Sequence, residues 1–333
     1  SKKNLLYIKD QKELDFLTFY SDCINFSRDL INSPANKLNP STYYSKIKNN
    51  NLFKSFNFID YTEKEINSNF PLTCAVGKSS FSKPQVIEIT NRKLSKKDKP
   101  LVIIGKGVTF DTGGVNIKPG TSMRNMKKDM GGSAIAISLF LLANYFLKKT
   151  KIVLIAPFAE NAISSKSMRP GDVYTSVSGK SVEIAHTDAE GRLLLADAIE
   201  KASSYNPSMI IDFATLTGAA RVALGEDLPA YFSNNETFAK KIENLNKEKL
   251  RCWRLPLYSP YLVKIKSQVA DLSNASLDGM AGSITAALFL QEFLKSPNIP
   301  WFHFDTFAWS QDSKGAALQG LDIMSDFLRK NFN

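Results

Sequence analysis

The sequence predicts an α/β fold, a doubly wound domain in which a mixed, largely parallel sheet is flanked by helices. Two observations predict it. Short apolar runs of strand length alternate along the chain with longer segments of helical period, which is the pattern of mixed α/β architecture. No repeat or low-complexity linker divides the 333 residues, and a hydrophobic content of 43% suffices for one sizeable core. We therefore expect a single domain.

The individual elements follow from these patterns. The predicted strands cover residues 72–76 (LTCAV), 86–90 (VIEIT), 101–105 (LVIIG), 151–156 (KIVLIA), 208–213 (SMIIDF) and 301–305 (WFHFD). The predicted helices cover residues 11–31, 131–148, 192–204, 236–249, 283–295 and 318–331. The loops after strands 101–105 and 208–213 are long and rich in Gly, Thr and Asp. Ligands gather at the carboxyl ends of strands in open α/β sheets, so we expect a site at these loops.

The start of the chain and its apolar content predict a cytoplasmic protein. We expect residues 1–20 to be a leading segment or linker and residues 21–333 to form the domain; the start lacks the uninterrupted apolar region of a secretory signal. The three cysteines fit neither a disulfide framework nor a sulfur-ligated zinc site. Residues 131–147 carry no charge, but the leading glycines and an internal asparagine favour a buried core helix over a membrane span.

The net charge of +11 raises the question of a polyanionic partner. The basic residues are scattered, and the densest groups, at 91–100 and 246–251, stand beside turn formers or inside a mixed-charge helix. Such groups are typical of a solvated face. We therefore expect neither nucleic-acid nor membrane binding.

A glycine-rich run, GKGVTFDTGGVNIKPG, occupies residues 105–120 after an apolar strand. It places Lys106, Asp111 and Lys118 among five glycines, which brings backbone and charge close to a ligand. A phosphate-binding loop is the obvious alternative, but the order GxxxxGK[ST] is absent. A nucleotide site is therefore not favoured.

Two further runs carry acidic residues at predicted helix starts. Asp129 precedes the glycines that open helix 131–148, where an aspartate commonly caps the helix. Asp188 and Glu190 lie two residues apart before helix 192–204, so in an extended segment their carboxylates point to one side, with Arg192 two residues further on. Such a pair is costly without a cation between its members. Helix capping remains the alternative for these acids too.

Together the three runs supply four carboxylates at strand ends or helix starts. Hard oxygen ligands in this number suit divalent cations, and a pair of cations is the usual arrangement in water-activating hydrolases. The chain has two histidines and no HExxH sequence, which excludes a single-zinc protease with histidine ligands.

The motifs themselves resemble a known family. GKGVTFDTGG (105–114), KKDMGGSA (127–134) and TDAEGRL (187–193) are similar to the signature segments of the leucyl (cytosol) aminopeptidase family, the M17 metallopeptidases. Further similarity lies in segments 28–40, 212–219, 223–234 and 282–293, so the resemblance covers nearly all the chain from about residue 20 onward.

The resemblance implies a two-metal aminopeptidase that acts on peptides or dipeptides with a free amino end. It implies that one cation, Zn or Mn with Co or Mg as alternatives, is held by Asp111, Asp188 and Glu190. The other would be held by Lys106, Asp111, Asp129 and Glu190. Lys106 would then bind as a neutral amine whose proton the metal displaces.

The resemblance also implies roles for residues outside the ligand set. Lys118 would stabilise the oxyanion, and Arg192 would hold a bicarbonate that serves as general base. The substrate amino group would bind neutral beside Asp129. The positions that resemble substrate-binding residues are Met126, His186, Thr215, Leu216 and Gly218.

Two departures from the family pattern matter. His186 stands where relatives usually have asparagine; it either alters the preference for a leucine-type first residue, since imidazole titrates near neutrality, or simply replaces the hydrogen bonds of the amide. Relatives also carry an additional amino-terminal domain and usually form hexamers. We expect a homo-oligomer.

Two other functions stay open. A member that has lost catalysis could act as a binding protein, even for DNA, but the complete ligand set argues against that loss. A two-metal hydrolase of phosphate esters is disfavoured, because the lysine ligand matches the peptidase pattern.

Overall fold

The computed structural model describes residues 10–312 and 315–332 of the chain. Its strands are β1 Asn57–Ile59, β2 Gln85–Thr90, β3 Leu101–Gly105, β4 Gly107–Asp111, β5 Ile152–Asn161, β6 Val173–Thr175, β7 Ser181–Glu183, β8 Met209–Ala214, β9 Ala230–Ser233, β10 Trp253–Arg254, β11 Leu272–Ser273, β12 Trp301–Asp305, β13 Trp309–Ser310 and β14 Gly315–Ala316. Its helices are α1 Gln11–Asn32, α2 Pro40–Lys48, α3 Glu63–Asn69, α4 Pro71–Gly77, α5 Gly120–Met123, α6 Gly131–Phe146, α7 Gly191–Ser203, α8 Gly218–Leu224, α9 Glu236–Leu245, α10 Gly282–Gln291 and α11 Leu321–Asn331, with short 3₁₀ segments at Asn51–Phe53, Met126–Met130 and Ser259–Ile265.

A nine-stranded sheet forms the centre of the molecule, in the order β1-β2-β5-β3-β8-β12-β9-β10. The ninth strand, β4, continues along β5 where β3 ends. Strands β5, β3, β8 and β12 run parallel to one another, whereas β1, β2 and β9 pair antiparallel at the margins. The predicted mixed, largely parallel sheet is confirmed, and the carboxyl ends of its central strands meet at one edge.

Helices cover both faces of this sheet. Helices α1, α6 and α11 lie on one face, and α4, α7 and α10 lie on the other. Strand β8 shows the alternation: Ile211 and Phe213 belong to the first buried cluster, and Ile210 and Ala214 to the second. Central parallel strands that are buried on both faces appear in a sequence as continuous apolar runs. The central strands could be predicted for this reason.

Helix α6 lies unusually close to the sheet. A Cβ atom added at Gly132 would stand 2.2 Å from the carbonyl oxygen of Phe213, so only glycine permits this approach. The segment Met126–Phe146 is long and apolar enough to cross a membrane, but 83% of its apolar window is buried inside the molecule. This burial supports the prediction of a core helix.

The predicted strand at 72–76 is wrong, because the segment is the helix α4. Pro71 stands at the first helical position, where its fixed φ favours a helix. No side chain from the preceding residues caps α4; instead Asp197 of α7 accepts hydrogen bonds from the backbone N–H and the hydroxyl of Thr73, at 2.7 and 2.9 Å. A short apolar run buried all round looks alike as helix or strand, and the deciding partner lies 124 residues away.

The remaining predicted elements differ mainly at their ends. Helix α9 ends before the predicted residue 249, because the side chain of Asn246 closes a turn by bonding the carbonyl of Cys252 and the N–H of Arg251. Strand β5 continues beyond residue 156, since β4 pairs with its second half. Of the predicted leading segment, residues 1–9 lie outside the described residues, and the predicted division after residue 20 falls inside α1.

A polar group is buried within the second face of the sheet. The carboxylate of Asp212 on β8 accepts a hydrogen bond of 2.7 Å from Trp301 Nε1, and its other oxygen lies 2.5 Å from His303 Nδ1. All three side chains are fully buried. Burial opposes the imidazolium, but the neighbouring Asp212 outweighs it and raises the pKa of His303 above its ordinary value.

The raised pKa predicts a pH-dependent stability. The folded protein keeps the His303 proton at pH values where the unfolded chain has lost it, so the free energy of unfolding falls as pH rises above about 6.5. Urea unfolding across a pH series should show this decline relative to His303→Gln, which lacks the proton. Asp212→Asn should flatten the dependence as well. A constant stability difference between native protein and His303→Gln at all pH values would contradict it.

The close approach of α6 gives a second prediction. Gly132→Ala forces a methyl group against the Phe213 carbonyl, and overpacking of this kind typically costs about 1–3 kcal/mol. Thermal unfolding should show a lowered Tm. Gly120→Ala is the matched control, because a Cβ there meets nothing within 4 Å. Equal Tm values for the two variants would contradict the packing argument.

Candidate metal centre

A cleft of about 630 Å³ opens at the carboxyl ends of β3, β4 and β8. The predicted metal, catalytic and substrate-binding residues all line it, except His186 and Arg192. The ones that do are Lys106, Asp111, Lys118, Met126, Asp129, Asp188, Glu190, Thr215, Leu216 and Gly218. Segments far apart in sequence are therefore brought together where the resemblance expects a site.

Lys106 follows β3 directly and is buried at the base of the cleft. Its ammonium lies 2.8 Å from Asp129 Oδ2 and 3.0 Å from Glu190 Oε1, and it donates a hydrogen bond of 2.7 Å to the carbonyl of Thr215. Burial opposes this charge, but Asp129 and Glu190 outweigh it and raise the pKa of Lys106. A role as a neutral metal ligand therefore requires that a cation displaces the proton.

Asp111 ends β4 and is held in place by two donors. Its Oδ1 accepts hydrogen bonds of 2.8 Å from Gly113 N and from Asn161 Nδ2. Its Oδ2 lies 2.9 Å from the Lys118 ammonium, which also pairs with Asp188. The Asp111 carboxylate is thus fixed in orientation, with its Oδ2 facing the Lys118 ammonium.

Asp129 does not cap helix α6, so the capping alternative is wrong for this residue. It lies in the 3₁₀ segment before the helix, which has no side-chain cap. Its Oδ1 instead accepts a hydrogen bond of 2.8 Å from the hydroxyl of Thr215. The loop after β8 therefore positions this carboxylate for the cleft.

Asp188 and Glu190 reach the cleft from a turn and not from an extended segment. Residues 187 and 188 form a turn, and Glu190 has helical backbone angles at the start of α7 without capping it. Burial and the neighbouring Asp111 raise the pKa of Asp188 to about 6 and that of Glu190 to about 8. Burial is the larger cause of both shifts, and the neighbouring acids add to it, whereas Lys118 and Lys106 oppose it.

Helix α7 begins in contact with Lys106. A Cβ atom at Gly191 would lie 2.4 Å from Lys106 Cε. The absence of a side chain at this position lets Glu190 and Lys106 meet.

The arrangement fits a divalent cation. Oxygen atoms of Asp111, Asp129 and Glu190 lie within 4.8 Å of one another, and all three residues are buried. Glu190 Oε2 is a buried acceptor that has no hydrogen-bond partner among residues 10–312 and 315–332. Burying several like charges is favourable only with a strong counter-charge. Oxygen donors of this kind suit Zn²⁺, Mn²⁺ or Mg²⁺.

Two predicted residues lie outside the cleft lining. Arg192 on α7 is buried, its Nε has no hydrogen-bond partner in the described part of the chain, and burial lowers its pKa to about 10. His186 is exposed, and its Nδ1 accepts a hydrogen bond of 3.2 Å from the backbone N–H of Asp188. Burial of part of the ring lowers the pKa of His186. The structure thus places His186 beside a predicted ligand and not in the lining of the cleft.

Two supporting residues escape the sequence patterns. Asn161 at the end of β5 orients Asp111, as described above. Asp305 at the end of β12 accepts hydrogen bonds from the backbone N–H groups of Leu216 and Thr217, at 3.2 and 3.1 Å, and from the hydroxyl of Thr217 at 2.6 Å. Both are polar residues that end an apolar strand, and that signal could have identified them.

Comparison with known proteins gives a consistent result. A model of the "Cytosol aminopeptidase family, catalytic domain" matches residues 25–324. A probable cytosol aminopeptidase of Syntrophotalea carbinolica is 38% identical over 298 residues, which cover 89% of this chain and 59% of the relative. A probable cytosol aminopeptidase of Chlamydia caviae is 41% identical over 288 residues, which cover 85% of this chain and 57% of the relative.

A solved structure is also similar. The crystal structure of a cytosol aminopeptidase from Coxiella burnetii superposes with a TM-score of 0.89 at 40% identity, covering 97% of this chain and 71% of that one. The chain spans less than two thirds of the length of the two relatives above.

The carboxylate cluster predicts selective loss of cation binding. Glu190→Gln replaces a charged carboxylate of the cluster with a neutral amide. Loss of a residue that only supports a metal ligand typically lowers metal affinity roughly 10- to 100-fold, and we expect the Mn²⁺ affinity measured by calorimetric titration to fall by more than that. Glu226→Gln is the matched control, since Glu226 lines the cleft outside the cluster. Similar affinities for the two variants would show that the cluster is not a cation site.

Proposed function

The chain belongs to the cytosol aminopeptidase family, and from that premise we propose that it is the catalytic part of a metal-dependent aminopeptidase that removes the first residue of peptides or dipeptides. The observation that carries the proposal is the convergence of Asp111, Asp129 and Glu190 around buried Lys106 at the carboxyl ends of the central strands. Neither of the other functions left open by the sequence is supported by a specific observation.

The proposed cofactors are two divalent cations, Zn or Mn with Co or Mg as alternatives. Asp111, Asp188 and Glu190 would hold one, and Lys106 would join Asp111, Asp129 and Glu190 around the other. When bound, the pair would polarise the scissile carbonyl and lower the pKa of a water molecule. The fixed orientation of Asp111 and Asp129, each held by neighbouring donors, supports this assignment.

We assign Lys118 to the stabilisation of negative charge on the substrate carbonyl oxygen. It is the cleft lysine that does not belong to the proposed ligand set and yet contacts two of its members, Asp111 and Asp188. Burial opposes its charge, but the four acids of the cleft, Asp111 foremost, outweigh burial and raise the pKa of Lys118 above its ordinary value. A protonated donor held in place before the reaction stabilises a developing oxyanion.

The remaining roles concern the base and the substrate. Arg192, whose buried Nε has no hydrogen-bond partner among the residues that the structure describes, would bind a bicarbonate that accepts the proton of water. The substrate amino group would lie neutral beside Asp129. The residues assigned to substrate contact are Met126, Thr215, Leu216 and Gly218, all of which line the cleft. We assign His186 an indirect role, because its Nδ1 accepts a hydrogen bond from the backbone N–H of Asp188.

We also propose that the protein is cytoplasmic and forms a homo-oligomer, a hexamer like the members of the family that it resembles. Its proposed partners are peptides, and we expect it to bind neither nucleic acid nor membranes. Large apolar side chains stand exposed at Val222, Leu277 and Met280, with fractions of 87%, 91% and 66%. Exposed apolar side chains of this kind are what a subunit interface covers.

The function predicts chelator-sensitive peptidase activity. The native protein with Mn²⁺ or Zn²⁺ should release a fluorescent amine from aminoacyl substrates, lose this activity with a chelator and regain it with added metal. Lys118→Met should lower kcat by roughly 10²- to 10³-fold, the usual cost of one oxyanion donor, while Mn²⁺ still binds. Lys166→Met, an exposed lysine, is the control. Absence of activity with every metal across a varied substrate panel would exclude the function.

A further inference from the structure

A second set of charged residues lines the cleft beside the carboxylate cluster. Lys128 and Arg221 both lie over the ring of Phe307, with Lys128 Nζ 4.2 Å and Arg221 Cζ 4.9 Å from its centroid. All three residues line the cleft. We call this group the Phe307 wall.

Lys128 is unusual because its charge is buried without an acidic partner. Only 4% of the residue is exposed, and among the described residues its ammonium forms no salt bridge within 4.0 Å and no hydrogen bond. The adjacent acid, Asp129, has both oxygens engaged elsewhere, with Lys106 and with the hydroxyl of Thr215. Asp129 still attracts the Lys128 charge from a distance, but within the described residues no acid of the cluster forms an ion pair with it.

The contact with Phe307 does not balance this cost. A cation over an aromatic ring contributes about 0.5–2 kcal/mol, whereas the effective penalty for burying an ammonium is several kcal/mol. Buried charges in proteins are normally paired. An ammonium that is nine-tenths buried and borders an open cleft is therefore placed to meet an anion that enters the cleft.

Arg221 adds a second cation to the same wall. It is exposed and, like Lys128, forms no ion pair within the described part of the chain. Glu226 lines the cleft nearby but stands in no salt bridge with either cation. The wall thus has one buried and one exposed positive charge, and both contact the same aromatic ring.

We propose that the Phe307 wall binds a carboxylate carried by the substrate, either on the side chain of its first residue or at the carboxyl end of a dipeptide. The inference rests on the proposed function, because a carboxylate is the anion that peptides carry. Lys128 supplies the buried charge, and Arg221 supplies a planar donor pair suited to carboxylates. The enzyme accordingly prefers acidic over neutral substrates of similar size.

Paired substrates test the proposal and identify the source of the carboxylate. Glutamyl and glutaminyl derivatives of a fluorescent amine differ only in the side-chain carboxylate. Leu-Gly and Leu-Gly-amide differ only at the carboxyl end. With saturating Mn²⁺, kcat/KM should be higher for the acidic member of one pair than for its neutral member. That pair identifies which carboxylate of the substrate binds to the Phe307 wall. Lack of preference in both pairs overturns the proposal.

Lys128→Met should reduce that preference by about 10-fold or more, as expected for a lost charge-assisted hydrogen bond. The neutral member of the pair serves as the internal reference. Lys127→Met is the matched control, because the Lys127 ammonium bonds the carbonyl of Asn32 and lies over Trp309. Arg221→Met should reduce the same preference and, since Arg221 is exposed, it tests the proposal if Lys128→Met does not fold. An unchanged preference in the folded variants overturns it.

A binding measurement separates this inference from the proposed function. If the side chain carries the carboxylate, L-glutamate should raise the Tm of the native protein more than L-glutamine does; if the carboxyl end carries it, Leu-Gly should raise the Tm more than Leu-Gly-amide does. Lys128→Met should remove the difference in either case. If no substrate is hydrolysed but the acidic ligand of one pair still binds preferentially, the aminopeptidase function fails and the Phe307 wall stands. If neutral substrates are hydrolysed but no acidic ligand is preferred, the wall fails alone.

Discussion

Mutual repulsion among the carboxylates at the strand ends is the constraint on which the rest of this structure depends. Four acids share one cleft, and for Asp188 and Glu190 burial and the neighbouring acids raise the pKa above its ordinary value. The cluster therefore needs positive charge close by. Lys106 and Lys118 supply that charge from within the cluster. The same crowding that is costly for the isolated chain makes the site receptive to small, highly charged cations.

The fold holds these acids together by using elements that approach very closely. Glycine at position 132 lets helix α6 lie against β8, which brings Asp129 next to the loop that follows that strand. Asp305 then fixes that loop through its backbone N–H groups. Stability and the geometry of the candidate site are therefore set by the same contacts.

The sequence predicts the sheet and the cleft well because both depend on local patterns. The central strands are apolar throughout, and the site residues occur in short motifs at their ends. Segment 72–76 shows where local patterns fail, since the Asp197 side chain that caps α4 comes from a distant helix. The capping hypothesis for Asp129 failed for the same reason, because Thr215 competes for its carboxylate. Lys128 stands beside Asp129 in a recognised motif, yet only the fold reveals that no acid reaches it.

The contact between Gly191 and Lys106 has an evolutionary meaning. The two residues lie in different motifs, 85 positions apart in the printed sequence, but the space for one is made by the absence of a side chain at the other. Neither can mutate freely while its partner stays unchanged. Descendants of this protein should inherit the pair as a unit, and a designer who grafts one loop into a new scaffold must transplant the other with it.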